Sequence, residues 1–344
     1  MVCVGFEGTT LPSSLRHLLD RGVSSVILFS RNFQSPEQLC NLCVEIKEAV
    51  DRPIMICVDQ EGGRVQRFHK PFTIVPPMRE IGSMGSERLA EEVGGVFGRE
   101  LRSANIDMDI APVLDVDSNP DNPVIGPRSF GSVPDIVARF GCAMIRGLQQ
   151  AGVAACGKHF PGHGDTRVDS HLDLPCVSHD VDRLNRVELP PFVAAIEAGV
   201  AALMTSHIVF QAIDPAQPAT MSKAVIGDLL RTRMKYDRLV ISDDLEMRAI
   251  TNHFGIDQAV IAGTRAGVDL FMICSRKELQ SQAIDALTAA VESGTVSRTR
   301  IEQANRHLDE LFDRFVRPPV RWNPEASSLI GCAKHQEIVR GVTA

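Results

Sequence analysis

The stretch "KHFPGHGDTRVDSH", residues 158–171, gathers Lys158, His159, His163, Asp165, Asp169 and His171 into fourteen positions, interrupted by Pro161, Gly162 and Gly164. Three chemistries could use such a set. A metal site would place His159 and His163, at i and i+4, on one helical face, and Pro161-Gly162 denies the helix; no metal is expected. Phosphate binding would use Gly62-Gly63 of "DQEGGRV", residues 59–65, as a backbone anion nest. No G-x-x-x-x-G-K-[ST] or G-x-G-x-x-G accompanies the pair, and Asp59 and Glu61 would repel the anion. Glycoside cleavage fits better, because it needs one carboxylate beneath the sugar ring and one proton donor beside the leaving oxygen. "VISDDLEM", residues 240–247, supplies the carboxylate. Asp169 and His171 supply the donor, since a carboxylate can hold an imidazole in one tautomer and raise its basicity.

The elements that must position these residues are short apolar runs alternating with longer amphipathic segments, the pattern of parallel βα units. Eight strand candidates stand out: "VCVGFEG", "SVILFS", "PIMICVDQ", "IDMDIAPVLDV", "AACGKHF", "AALMTSHI", "RLVISDD" and "VDLFMIC". Eight is what a closed α/β barrel needs, so a single (β/α)8 TIM-type barrel is expected over residues 1–317, with 318–344 as a C-terminal tail rather than a separate domain. Asp59-Gln60-Glu61, Asp115 and Asp117, Lys158-His159, Ser206-His207 and Asp243-Asp244 close five successive strands. They gather at the barrel face where active sites are built. Alternation sets Asp243 with Leu239 and Ile241, and Asp244 with Val240 and Ser242, without saying which face looks inward. Glu246 reads as a surface residue, His163 and Asp165 as loop-shaping, and His207 as a core or rim histidine. The helix "TRIEQANRHLDELFDRF", residues 299–315, reads as part of the outer layer.

The 344 residues are 44% hydrophobic and 23% charged, enough for a large core. A net charge of −7 leaves no basic excess for nucleic acid or an anionic membrane surface. Nine scattered cysteines read as reduced core thiols, and the Cys40-x-x-Cys43 pair falls in a helix that Ser35 can cap with Pro36 at its first position. The N-terminus lacks a basic region followed by an apolar one, and no window of about 18 apolar residues occurs. A cytoplasmic, monomeric chain without a cofactor is expected. With one Trp and one Tyr, recognition of a sugar would be polar and confined to one terminal unit.

"VDQEGGRVQRF", "GKHFPGHGDT" continuing to "DSH", and "ISDDLEM", in this order and spacing, resemble the family 3 glycoside hydrolases of the bacterial β-N-acetylglucosaminidase type, from about residue 5 to 315. The resemblance implies a retaining exo-enzyme that removes terminal N-acetylglucosamine, from peptidoglycan (muropeptide) fragments, through a glycosyl-aspartate. It assigns Asp243 as nucleophile and His171, paired with Asp169, as general acid/base. It also implies substrate contacts from Asp59, Arg67, Arg128, Lys158 and His159. Pro127, beside Arg128, departs from the polar residue common in the family. Rival readings are a β-N-acetylglucosaminide phosphorylase using the same Asp243, a metal-dependent hydrolase, and a non-catalytic sugar-binding barrel.

Overall fold

The computed structural model describes residues 1–343. Eight parallel strands close a barrel: β1 (Val2–Val4), β2 (Ser25–Leu28), β3 (Met55–Val58), β4 (Met108–Asp109), β5 (Ala154–Phe160), β6 (Ala202–Thr205), β7 (Leu239–Asp244) and β8 (Leu270–Ile273), with β8 back beside β1. All eight coincide with the apolar runs of the sequence. β4 is short because Pro112 has no N–H to give; the ladder continues through Lys158 N–H, which donates to Pro112 O at 3.1 Å.

Alternation sorts the strand residues onto two faces. Cys3, Ile27, Cys57, Cys156, Leu239, Ile241 and Met272 fill the barrel interior, while Val26, Ile56, Ala155 and Val240 pack outward against the helices. Two residues beyond Cys57, Cys156 and Ile241 stand Asp59, Lys158 and Asp243, so the period that builds the core also aims these three at the barrel mouth. Register shifts then add to this set. Gly157 to Phe160 oppose only Leu203 to Thr205, and Ile241 to Asp244 oppose only Leu270 to Met272. Each extra residue re-aims the strand end, which brings His159 and Asp244 to the mouth beside Lys158 and Asp243.

The helices follow local signals. Ser35 caps Pro36–Lys47 by accepting from Gln38 N–H at 3.1 Å, and Ser297 caps Arg298–Phe315 the same way. The latter helix does more than cover the outside: Leu308, Leu311 and Phe315 join the interior cluster and plug the barrel beneath Ala202 and Leu239. At that same end Asp269 receives Arg231, Arg300, His307 and the Val240 N–H, and Asp107 receives Lys47, Arg102 and the Ile56 N–H. Buried charges therefore occur at both ends, and those at the bottom are neutralised within the protein.

Beyond Pro318 the chain stays attached. Asn105 exchanges two 2.9 Å hydrogen bonds with the Val320 backbone, and the helix Ala333–Thr343 docks through buried Val339, Val342 and His335, whose Nδ1 lies 2.8 Å from Glu100. Ala344 lies outside the described residues. Seven cysteines are buried, but Cys176 is exposed and Cys332 half-buried, which corrects the reading of all nine as core thiols.

Candidate active site

The strand ends β3, β5 and β7, with the loops after β3, β4 and β5, surround a cavity of about 340 Å³. It is lined by all eight residues singled out above: Asp59, Arg67, Arg128, Lys158, His159, Asp169, His171 and Asp243. Ile27, Phe29, Met204 and Met272 give it an apolar side. Phe29 is the single aromatic ring other than histidine among the described lining residues, and Trp322 and Tyr236 lie elsewhere.

The floor is a network of buried ion pairs. After β3 the chain turns back through a hairpin, Gln60–Gly62 on Val65–Gln66. Gly62 (φ +91°) and Gly63 (φ +54°) make the turn, and a Cβ on Gly62 would lie 2.8 Å from Pro76 O. The Gly63 N–H is spent on Val75 O, so these glycines shape a hairpin and present no anion nest. The turn returns Arg67 to within 3.2 Å of Asp59, and Gln60 Oε1 accepts the Arg67 and Phe68 N–H groups. Lys158 Nζ, 2% exposed, sits 2.8 Å from Asp59 and 2.5 Å from Glu61. Arg128 forks onto both Glu61 oxygens at 2.8 Å. Burial would lower the Lys158 pKa, but Asp59 and Glu61 hold it above its usual value. Burial would likewise raise Asp59 and Glu61, and their cationic partners hold both below the carboxylate range. Pro127 sits in the short 3-10 turn Gly126–Arg128 that delivers Arg128, where its fixed φ suits the first turn.

Beside the floor, Asp115 is wholly buried and accepts from the His159 and His163 N–H groups while contacting His159 Nδ1 at 2.7 Å. That leaves the other nitrogen of His159 for the cavity. Asp243 lies on the inward face with Leu239 and Ile241. Burial favours its neutral form, but the His159 and His207 imidazoles and the Asp244 N–H hold its carboxyl below the usual range. Asp244 behaves oppositely: burial pushes it up to about 7, and its Oδ1 is occupied by the Glu246 and Cys274 N–H groups. Both carboxyls line the cavity, and the structure supplies the difference that alternation could not: Asp243 is held low by its neighbours, while Asp244 is pushed up by burial and bound by backbone N–H groups.

Asp169 and His171 stand on the loop after β5. Asp169 Oδ1 lies 2.8 Å from His171 Nδ1 and accepts the His171 N–H at 2.8 Å. Partial burial would raise Asp169, and the His171 contacts lower it. The His171 side chain is 64% exposed. The loop root is buried: His163 contacts Thr166 Oγ1 at 2.7 Å and Ser170 Oγ at 3.1 Å, and burial holds its imidazole down at about 4. Asp165 pairs with His179. His207 contacts Thr220 and the Asp244 carbonyl without lining the cavity. Glu246 is half-buried rather than simply on the surface, accepting the Ser275 and Arg276 N–H groups just ahead of the helix Lys277–Glu292.

Sequence reasoning set Glu61 and Asp115 at strand ends but gave neither a task in the site. Glu61 alternates with Asp59 along the hairpin strand, a signal that was present. Asp115 is 44 residues from His159, and no local pattern announces that pair.

Comparison with known proteins places these features in a lineage. The chain is 41% identical over 298 residues to the β-hexosaminidase of Thiobacillus denitrificans, covering 85% of this chain and 82% of that one. It superposes with a TM-score of 0.96 and 41% identity on a family 3 β-N-acetylglucosaminidase from Paenibacillus sp., covering 99% of this chain and 66% of that longer one. NagZ from Neisseria gonorrhoeae, in complex with N-trifluoroacetyl-D-glucosamine, gives a TM-score of 0.83 at 33% identity, covering 99% and 96%. Residues 12–311 match the glycosyl hydrolase family 3 N-terminal domain, and the chain belongs to that family.

Proposed function

We propose that the protein is a retaining exo-β-N-acetylglucosaminidase acting through a glycosyl-aspartate. The observation that carries this reading is the meeting, in one cavity, of an inward carboxylate held ionised at Asp243 and a carboxylate-oriented imidazole at His171. Asp243 would attack the anomeric carbon as protonated His171 donates from Nε2 to the departing oxygen. Asp169, on Nδ1, would stabilise the charge. In the second step neutral His171 would take a proton from water, which attacks the anomeric carbon and frees Asp243. Asp59 would accept from sugar hydroxyls, while Arg67, Arg128, Lys158 and His159 would donate to hydroxyl and acyl oxygens. The cavity is at the small end for ligand sites, about 300–1,000 Å³, which suits a single terminal sugar. The related proteins' names support an N-acetylated sugar, and we extend the reading to muropeptide fragments turned over in the cytoplasm by a monomeric enzyme. No helix is long and apolar enough to cross a membrane among the described residues. Initial rates on nitrophenyl N-acetyl-β-glucosaminide and β-glucoside should strongly favour the N-acetyl sugar. Equal or reversed rates would overturn the substrate reading, and sugar 1-phosphate formed in phosphate buffer would make the enzyme a phosphorylase.

A further inference from the structure

Every lysine and arginine of the cavity except one is neutralised by a carboxylate of the protein. Lys158 lies on Asp59 and Glu61, Arg67 on Asp59, and Arg128 on Glu61. Arg64 is the exception: among the described residues its guanidinium makes no ion pair, and its hydrogen bond goes to the Val124 carbonyl. Arg128 Nη1 donates to that same carbonyl at 3.3 Å, so Val124 holds two guanidinium groups side by side. Glu61 could neutralise both, but its oxygens are taken by Arg128 and Lys158. Partial burial first, and then the neighbouring Arg128 charge, pull the Arg64 pKa below its usual value, while Glu61 and Asp169 oppose the shift without pairing with Arg64.

Position shows what could answer this charge. Arg64 is exposed, so it stands at the rim of the cavity rather than at its base. It lines the same cavity as His171 and Asp169, the residue that orients His171, and feels the Asp169 charge. In the reading above His171 faces the leaving oxygen, which puts Arg64 on the leaving-group side, with Val65, Pro123 and Val124 as apolar neighbours on the lining.

We propose that Arg64 is a specificity-determining residue that binds a carboxylate carried by the aglycone. The proposal rests on the glycosidase reading. A guanidinium offers a planar fork matched to a carboxylate, and solvent at the rim keeps the gain moderate.

The test uses the full chain and two fluorogenic N-acetyl-β-glucosaminides, one with the neutral 4-methylumbelliferyl aglycone and one with 3-carboxyumbelliferyl. The leaving groups differ, but each substrate is the same for every enzyme, so the ratio of wild type to variant isolates the contact. Arg64→Gln should lower kcat/KM for the carboxylated substrate by about five- to tenfold and leave the neutral one within about twofold. Arg64→Lys should retain part of the preference, and high salt should narrow it in the wild type. Equal effects on both substrates, or none on either, would overturn the role of Arg64 while the glycosidase reading stands. Cleavage of neither substrate by the wild type would overturn both.

Discussion

The floor of the cavity and the loop that overhangs it hold the two halves of the proposed chemistry in opposite physical settings. Lys158, Glu61 and Asp115 are at most 2% exposed and each has several charged or N–H partners. His171, which faces the same space, is 64% exposed and depends on Asp169 alone among the described side chains. Burial with compensation fixes both geometry and ionisation, which a nucleophile and its sugar-positioning groups require. A proton handler has other needs: it must exchange protons with water and meet a leaving group that departs into solvent. The boundary runs through the loop itself. His163, Thr166 and Ser170 anchor the root as part of the buried region, and the tip projects outward.

Removing the proposed nucleophile, which stands beside the floor, should have the largest effect. Asp243→Asn should cost at least about 10⁴-fold in kcat on every leaving group, because no aglycone replaces a nucleophile. Asp244→Asn, which keeps its Oδ1 acceptor, should stay within about tenfold. The reverse order in steady-state kinetics would move the nucleophile to 244. Next comes stability. Lys158→Met leaves Glu61 with Arg128 alone and Asp59 with Arg67 alone, and should lower the unfolding free energy by about 3 kcal/mol in urea titrations, whereas His171→Ala should change it by about 0.5 kcal/mol or less. Comparable losses would erase the distinction between floor and loop.

The loop tip should instead show itself through leaving-group dependence. His171→Ala should lose about 10²–10³-fold on substrates with poor leaving groups. With dinitrophenolate it should give a burst followed by slow turnover, since glycosyl-enzyme formation then needs no proton. A uniform loss without a burst would remove His171 from the acid/base role. The smallest effect concerns the loop root. His163 has a folded pKa near 4 against an ordinary value of about 6.5, so the unfolded chain binds the extra proton between these limits. Its share of stability is present above about pH 6.5 and is lost as pH falls towards 4. From pH 6.5 to 5 the wild type should lose about 2 kcal/mol more than His163→Gln. Parallel pH profiles would mean that the root is solvated like the tip.

Much of this arrangement was legible before folding. The eight apolar runs, their alternation with helices and the clustering of Asp, Lys and His at run ends announce a barrel with one chemical face, because backbone periodicity and burial are local properties. The helix over 299–315 was visible, but its place as the plug beneath the barrel was not, since periodicity gives an apolar face and no partner. The sequence by itself determined the element types and the barrel, and its resemblance to family 3 glycoside hydrolases supplied the pool of eight candidate residues. Tertiary structure decided which groups pair and which remain available: Asp115 against His159, Glu61 with Arg128 and Lys158, Arg64 without a carboxylate partner among the described residues, and, of the two strand-end carboxyls that line the cavity, Asp243 held low in pKa by its neighbours and Asp244 pushed up by burial. The reason is that ionisation and pairing depend on distances between residues far apart in the chain and on the burial they share, and neither is written in local order.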